Sequence, residues 1–230
     1  MVMETKIIPV QAGVGAAYLV VAEDRFFLVD TGSPGKEKKI LKAITSRGLK
    51  PESLSFIFLT HTHYDHAGSA AFLKEATGAK IIVQASEAGK LATGYSGTPD
   101  GTNPLFKGIS YLGKRFKSPL NMYEPVNPDV VFEEKLDLKE YGINGYIIHT
   151  PGHTSGSSSL ILRTKAIVGD TMFHWGKFIY PPFANDEATL IKSWEKLLNL
   201  QVDTYFPAHG KPLVKDKVVK VYEKMMKSRV

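Results

Sequence analysis

The first part of the chain alternates short apolar runs with turn residues. Lys6-Ile7-Ile8-Pro9-Val10 and Ala17 to Val21 read as strands, with Gly13 and Gly15 marking the turn between them. Glu23-Asp24 reads as a hairpin tip, and Arg25-Phe26-Phe27-Leu28-Val29 as a third strand ending at Asp30-Thr31-Gly32. From Lys36 to Arg47 the period lengthens. Ile40, Leu41 and Ile44 form a helical stripe there, and Gly48 stops it. Phe56 to Thr60 is the next strand, His66 to Thr77 a helix buried through Ala67, Ala70, Ala71 and Leu73, and Lys80 to Val83 another strand. Strand, helix and strand in this order predict a mixed α/β arrangement.

Periodicity fades from about Ala85 to Asn127, where Gly and Pro recur among Leu105, Phe106, Tyr111, Leu112, Phe116, Met122 and Tyr123. These side chains favour burial, so the stretch reads as an insertion forming a lid or one wall of a pocket rather than a linker. Regular pattern resumes at Val130 to Phe132, Lys135 to Leu138, Gly145 to His149, Ser159 to Leu162 and Ala166 to Val168. Asp186 to Leu198 has the spacing of an amphipathic helix capped by Asp186, Thr204 to Phe206 that of a strand, and about Asp216 to Met226 that of a closing helix. The 230 residues are expected to form a single domain carrying the insertion at about 85–127.

Composition narrows the chemistry. The chain has no Cys, which excludes thiolate nucleophiles, disulfides and Cys-held metals, and leaves seven His with the carboxylates as ligands. The apolar run Ala16 to Val21 is cut at once by Glu23-Asp24-Arg25, and no signal-peptide pattern precedes it. A cytoplasmic protein without a membrane span is the expectation. The formal charge of +6 is spread among mixed Lys and Glu. It suits an anionic substrate or nucleic acid but is explained equally by solubility, and the run Lys211 to Arg229 reads as a solvated helix face.

Polar residues interrupt the pattern most densely at Thr60-His61-Thr62-His63-Tyr64-Asp65-His66, directly after the apolar run Phe56 to Leu59. Neutral His and ionised Asp are ligands of borderline divalent cations. In an extended segment His61, His63 and Asp65 project to one side and His66 to the other, so one turn can serve two neighbouring metals. A His-rich surface loop is the plain alternative. The rest of the chain argues against it by supplying more ligands at strand ends. His153 lies in Pro151-Gly152-His153-Thr154, Asp170 in Gly169-Asp170-Thr171, and His209 in Pro207-Ala208-His209-Gly210. Asp30 also ends a strand, where it reads equally as a site support or as an ordinary turn residue. Polar residues recurring at strand ends point to one rim of a sheet assembly.

This ordered set resembles the motifs of the metallo-β-lactamase superfamily. The resemblance implies an α/β fold, a four-layer αββα sandwich of two mixed sheets flanked by helices, with the metal site at one edge. It implies that His61, His63 and His153 hold one metal, that Asp65, His66 and His209 hold a second, and that Asp170 bridges them. Asp30 would steady the His-rich turn. Asp65 and Asp170 would act with a bridging hydroxide in catalysis. Two divalent ions are implied, zinc first, although His and Asp ligands also accept iron or manganese. Such pairs sit about 3.5–4 Å apart and lower the pKa of bound water to about 7. His149 reads as a core or edge residue, while His174 and Tyr180 are candidates for the substrate pocket.

Gly169-Asp170-Thr171-Met172-Phe173, with Asn185-Asp186-Glu187-Ala188 and the helix around Trp194, looks most like glyoxalase II and its thioesterase-like relatives. Only 21 residues follow His209, which leaves no room for a C-terminal helical domain, and Ser157 and Ser158 stand where many glyoxalase II sequences carry His. The leading expectation is a binuclear metal-dependent hydrolase of a small-molecule thioester, ester or lactone. Its insertion would supply an apolar wall from Tyr95, Phe106, Tyr111, Phe116 and Tyr123. Lys107, Lys114, Arg115 and Lys117 would meet an anionic group, or else be surface lysines over a local core. The alternatives are a β-lactamase with all His/Asp ligands, a phosphodiesterase or nuclease, and an iron-dependent redox protein. Nucleic acid is disfavoured because no dedicated module is visible, and the oligomeric state is open.

Overall fold

The computed structural model describes residues 5–22, 24–116, 121–176 and 178–227. Glu23, Lys117 and Arg229, named above, lie outside the described residues. The first sheet is built in sequence order. β1 (Lys6–Gln11), β2 (Ala16–Ala22) and β3 (Arg25–Val29) pair antiparallel. β4 (Phe56–Phe58), β5 (Lys80–Gln84) and β6 (Val130–Phe132) then add in parallel. In the second sheet β7 (Lys135–Asp137), β8 (Tyr146–His149), β9 (Ser158–Leu162) and β10 (Lys165–Gly169) pair antiparallel. β11 (Thr204–Pro207) lies parallel to β10, with β12 (Leu213–Val214) antiparallel outside it.

Seven α-helices accompany them among the described residues: α1 (Glu37–Thr45), α2 (Tyr64–Ala67), α3 (Ala70–Thr77), α4 (Ala85–Thr93), α5 (Pro104–Arg115), α6 (Glu187–Leu198) and α7 (Lys215–Lys227). The cores show how they stack. Phe27, Val29, Phe56 and Phe58 of the first sheet meet Ile147, Leu160, Leu162 and Ile167 of the second in one buried layer. Phe27 and Phe56 stack there at 4.5 Å, an aromatic pair worth about 0.5–1.5 kcal/mol beyond area burial. The opposite face of the first sheet packs Leu28 and Ile57 under Ile40, Ile44, Leu73 and Leu91 of the helices. The opposite face of the second packs Ala166 and Val168 under Trp194, Leu197 and Val218. Helix, sheet, sheet and helix are the four expected layers. Central strands are apolar on both faces, which is why Phe26 to Val29 reads as an unbroken run.

Two expectations need correction. The helix expected over His66 to Thr77 is two helices, and the first begins at Tyr64, inside the His-rich motif. The break falls at Gly68-Ser69, where Gly68 N–H donates to Gly32 (2.9 Å) and Ser69 Oγ to the Ser33 carbonyl (2.8 Å). These bonds tie the motif to the turn after β3, and a continuous helix could not make them. The segment from about 85 to 127 is also more regular than its pattern suggests. Gln84 caps α4 by accepting from Ser86 N–H (2.6 Å), and Asn103 caps α5 by accepting from Phe106 N–H (3.2 Å). No helix among the described residues is long and apolar enough to cross a membrane.

Candidate metal centre

The His-rich turn lies where β4 leaves the first sheet, and its side chains are buried for reasons visible locally. Asp30, at the end of β3, adopts φ +61°, a left-handed conformation that Asp tolerates better than most residues. That conformation turns its carboxylate towards the turn. It accepts from Thr60 N–H (2.8 Å), from Thr60 Oγ1 (2.9 Å) and from His66 Nδ1 (2.9 Å). Because Thr60 Oγ1 donates to Asp30, it can only accept from His61 Nδ1, 3.2 Å away. One carboxylate thus orients His66 directly and His61 through a hydroxyl. Both rings are left with Nε2 facing inward.

The remaining ligands arrive from the second sheet. Gly169 delivers Asp170 through φ +51°, and a Cβ at Gly169 would stand 2.5 Å from Thr60 Oγ1, so only Gly fits. His153 follows Gly152, and its Nδ1 donates to the Phe183 carbonyl (2.9 Å), which aims Nε2 inward. His209 follows β11, and its ring stacks on Phe173 at 4.4 Å.

The arrangement has two overlapping halves. His61, His63, His153 and Asp170 form one group able to hold a cation, and Asp65, His66 and His209 form another, with the ligand atoms of each within 4.8 Å of one another. In the first, His61 Nε2 and His153 Nε2 both lie 3.0 Å from His63 Nδ1. Tetrahedral zinc with bonds of about 2.0–2.1 Å sets its ligand atoms about 3.3 Å apart, so three nitrogens converging this closely suit such an ion. Asp170 lies between the halves. One oxygen is 3.4 Å from His153 Nε2, and the other is 3.4 Å from both His66 Nε2 and His209 Nε2. The extended-segment geometry therefore holds only as far as His63. Asp65 and His66 reach the second group from the first turn of α2.

Charge separates the halves. Burial, with His66, His63 and His153 close by, holds His61 well below the usual imidazole range. Burial and His153 push His63 down to about 3, and burial also lowers His153. These three rings are neutral and offer lone pairs. Burial opposes charge on His66 and His209 as well, but the neighbouring carboxylates, Asp170 foremost, outweigh it. His66 is raised well above its usual value and His209 to about 9. Asp65 and Asp170 are held low despite burial, Asp65 first by His66 and Asp170 first by His209. His66 Nε2 and Asp170 Oδ1 are buried without a hydrogen-bond partner. A buried polar atom left so costs about 1–3 kcal/mol, which a bound cation removes. The donor set fits a divalent metal.

Residues not singled out from the sequence complete the site. Glu87 of α4 is fully buried. It accepts from Thr62 Oγ1 and Thr62 N–H (3.1 Å) in the His-rich turn, from Gly156 N–H (3.2 Å) beyond His153, and from Lys90 Nζ (2.8 Å). It staples the two loops together, and no pattern in the sequence marks it. The Phe183 carbonyl is backbone and equally invisible there. A cleft of about 550 Å³ opens over the cluster, and His174 is among the residues lining it. His174 Nδ1 donates to the Lys211 carbonyl (2.8 Å), which leaves Nε2 to accept from Lys217 Nζ (2.7 Å). Tyr180 is not in that wall. Its ring lies against Trp194 at 6.0 Å and its hydroxyl donates to Glu187, because α6 draws it towards the outer core. His149 is at the end of β8, between Glu134 and the Ser155 carbonyl, outside both groups.

An αββα sandwich with a His and Asp cluster at the strand ends, open to a cleft, is the frame, and the family match and relatives that follow make it that of a metal-dependent hydrolase. The chain belongs to the metallo-beta-lactamase superfamily, whose sequence model matches residues 10–209. It is 31% identical to the hydroxyacylglutathione hydrolase GloC of Haemophilus influenzae over 216 residues, covering 90% of this chain and 91% of the relative. It is 29% identical to a probable metallo-hydrolase of Methanocaldococcus jannaschii over 213 residues, covering 91% and 93%. A metallo-beta-lactamase superfamily protein from Sulfolobus tokodaii shares the fold at TM-score 0.69 and 19% identity, covering 97% of this chain and 87% of that one.

Proposed function

We propose that the chain hydrolyses a small-molecule thioester, ester or lactone, with two divalent cations, zinc by preference, held by His61, His63, His153 and Asp170 and by Asp65, His66 and His209. The observation that carries this reading is the place of Asp170, with one carboxylate oxygen towards each group of ligands. Bound divalent cations supply a water ionising near pH 7 and a Lewis acid for the carbonyl oxygen. The residues themselves do the rest. His61, His63 and His153 stay neutral through burial and keep their lone pairs turned inward. Asp30 and the Phe183 carbonyl fix which nitrogen each neighbouring ring presents. Asp65 and Asp170 supply the negative charge, and both line the cleft where the substrate carbonyl enters. Asp65 Oδ2 is 3.3 Å from His209 Nε2, the spacing of two ligand atoms that would share one cation. No side chain in this scheme forms a covalent bond to substrate.

The test joins metal analysis to a substrate panel. Purified protein should carry close to two equivalents of metal. It should turn over at least one thioester, ester or lactone in a reaction abolished by chelator and restored by zinc. Chelator-resistant turnover, or turnover confined to phosphodiesters or cephalosporins, would refute the assignment.

A further inference from the structure

The cleft wall beyond the ligands carries a second kind of information. Phe173 stacks on His209, and Phe183, whose carbonyl holds His153, packs edge-on against Phe106 of α5 at 5.0 Å. Aromatic rings therefore flank the cluster on both sides. Val14, Ile109 and Trp175 also line the cleft, yet remain 62%, 48% and 70% exposed. Asn121 and Gln11, two neutral polar side chains of the wall, direct their amide donors into the protein. Asn121 Nδ2 donates to Thr98 Oγ1 (2.7 Å), and Gln11 Nε2 donates to the Gly13 carbonyl (2.9 Å). Among the described residues lining the cleft, none is Lys or Arg.

Of the cations expected to meet an anionic substrate, Lys107, Lys114 and Arg115 lie outside the cleft lining, and Lys117 lies outside the described residues. Lys107 and Lys114 line a separate recess with Asp186 and Glu187, and Lys114 pairs with Asp100 at 2.5 Å. The Arg115 guanidinium lies over the Phe116 ring at 5.7 Å. Lys217 reaches the cleft only through His174 Nε2. Beyond Ile109 the apolar surface continues. Leu105, Ile109, Leu112 and Phe116 recur at helical spacing on one exposed side of α5.

From this we propose that the cleft contains an apolar subsite, bounded by Phe106, Ile109, Phe183 and Trp175, that takes the uncharged aliphatic or aryl arm of the substrate. The preferred substrate is thus a neutral acyl thioester, ester or lactone rather than one with an anionic leaving group. The inference rests on the hydrolase reading for the bond cleaved, but the subsite itself is a matter of binding. The segment leading into α5 is tied to residues 182–184 by Thr102 N–H donating to the Pro182 carbonyl (2.9 Å) and Ala184 N–H to the Asp100 carbonyl (2.8 Å). The wall is thereby fixed to the loop that orients His153.

Two measurements on the metal-loaded protein test it. The first compares acyl thioesters of neutral N-acetylcysteamine with those of anionic glutathione, from acetyl to decanoyl. kcat/KM should rise by up to about fourfold per buried methylene. The neutral series should lead by tenfold or more at equal chain length, and Ile109→Asp should flatten the rise. The second needs no turnover. Non-hydrolysable 2-alkanones should quench the exposed Trp175, with Kd falling as the chain lengthens. Trp175→Phe should remove the signal, because Trp194 is fully buried. Affinity or kcat/KM that ignores chain length, or kcat/KM that favours the glutathione series, would overturn the proposal. So would an Ile109→Asp protein that changes oligomeric state but keeps its chain-length profile, since the stripe would then be an interface between copies. Length-dependent binding of alkanones without turnover of any thioester, ester or lactone would support the subsite and refute the hydrolase reading alone.

Discussion

Residues 60–66 and helix α5 border the same cleft and are built on opposite terms. In the turn every residue but Tyr64 is buried, and Asp30 and Glu87 brace it from below. On α5 only Ser110 is buried, while apolar side chains face outward beside the opening. The turn obtains its order from polar groups bonded to Asp30 and Glu87 in a low-dielectric interior, where an unmade bond is costly. α5 obtains its order from its Asn103 cap and from backbone bonds to residues 182–184, which leave its outer face free of structural duty. Chemistry is kept where nothing can move, and selectivity is placed where side chains can change without unfolding the protein.

The largest test of that contrast is at the cluster. Asp170→Ala removes the one carboxylate shared by both groups of ligands, and metal content and turnover should both be lost. Elemental analysis and a steady-state assay check this, and a variant that retains full activity breaks the two-cation scheme. Glu87→Ala should come next. It strands the Thr62 and Gly156 N–H groups and costs about 3 kcal/mol, the low end for breaking a buried pair because Lys90 reaches solvent. Chelator competition should show weaker metal binding as well, and Glu87→Gln should recover part of both losses by keeping an acceptor at Thr62. A Glu87→Ala protein with unchanged metal affinity would reduce Glu87 to a packing role. Asp30→Ala should weaken metal binding by about 10–100-fold, the usual range for a residue that orients ligands without touching the metal. Competition with a chromophoric chelator reads this directly. A variant that binds as tightly as the parent would show that Thr60 and burial alone orient His61 and His66.

The same contrast explains what the sequence could reveal. His61, His63, Asp65, His66, His153, Asp170 and His209 are legible because ligand chemistry restricts the residue types and strand ends restrict their positions. All seven fall into the two groups around the cluster. The buried strands are legible because Phe26 to Val29 and Phe56 to Leu59 are apolar on both faces, whereas the stacking of the two sheets followed from the family resemblance alone. Glu87 was not, since a lone Glu in a helix has the same pattern whether it faces water or a buried Thr. The break at Gly68-Ser69 was hidden because its cause, the turn at Gly32-Ser33, is distant in sequence. Tyr180 lies away from the cleft lining because its ring packs against Trp194 and its hydroxyl donates to Glu187, contacts that no local pattern around residue 180 announces. α5 is a different case. Asn103-Pro104 is a helix-start signal, and Leu105, Ile109, Leu112 and Phe116 keep helical spacing, but Gly108 and Gly113 disguised them.

The smallest expected effect falls on that stripe. Leu112 is 55% exposed, and its neighbours on the stripe face the same way, so Leu112→Ser should change stability by no more than about 0.5 kcal/mol. Urea unfolding followed by circular dichroism resolves a shift of that size when the slope is unchanged. A small shift keeps α5 as a surface whose composition is set by what enters the cleft. A loss of several kcal/mol would mean that the stripe is covered in the working protein. Its apolar character would then belong to assembly, and the division between a rigid chemical floor and an adaptable wall would fail at its adaptable end.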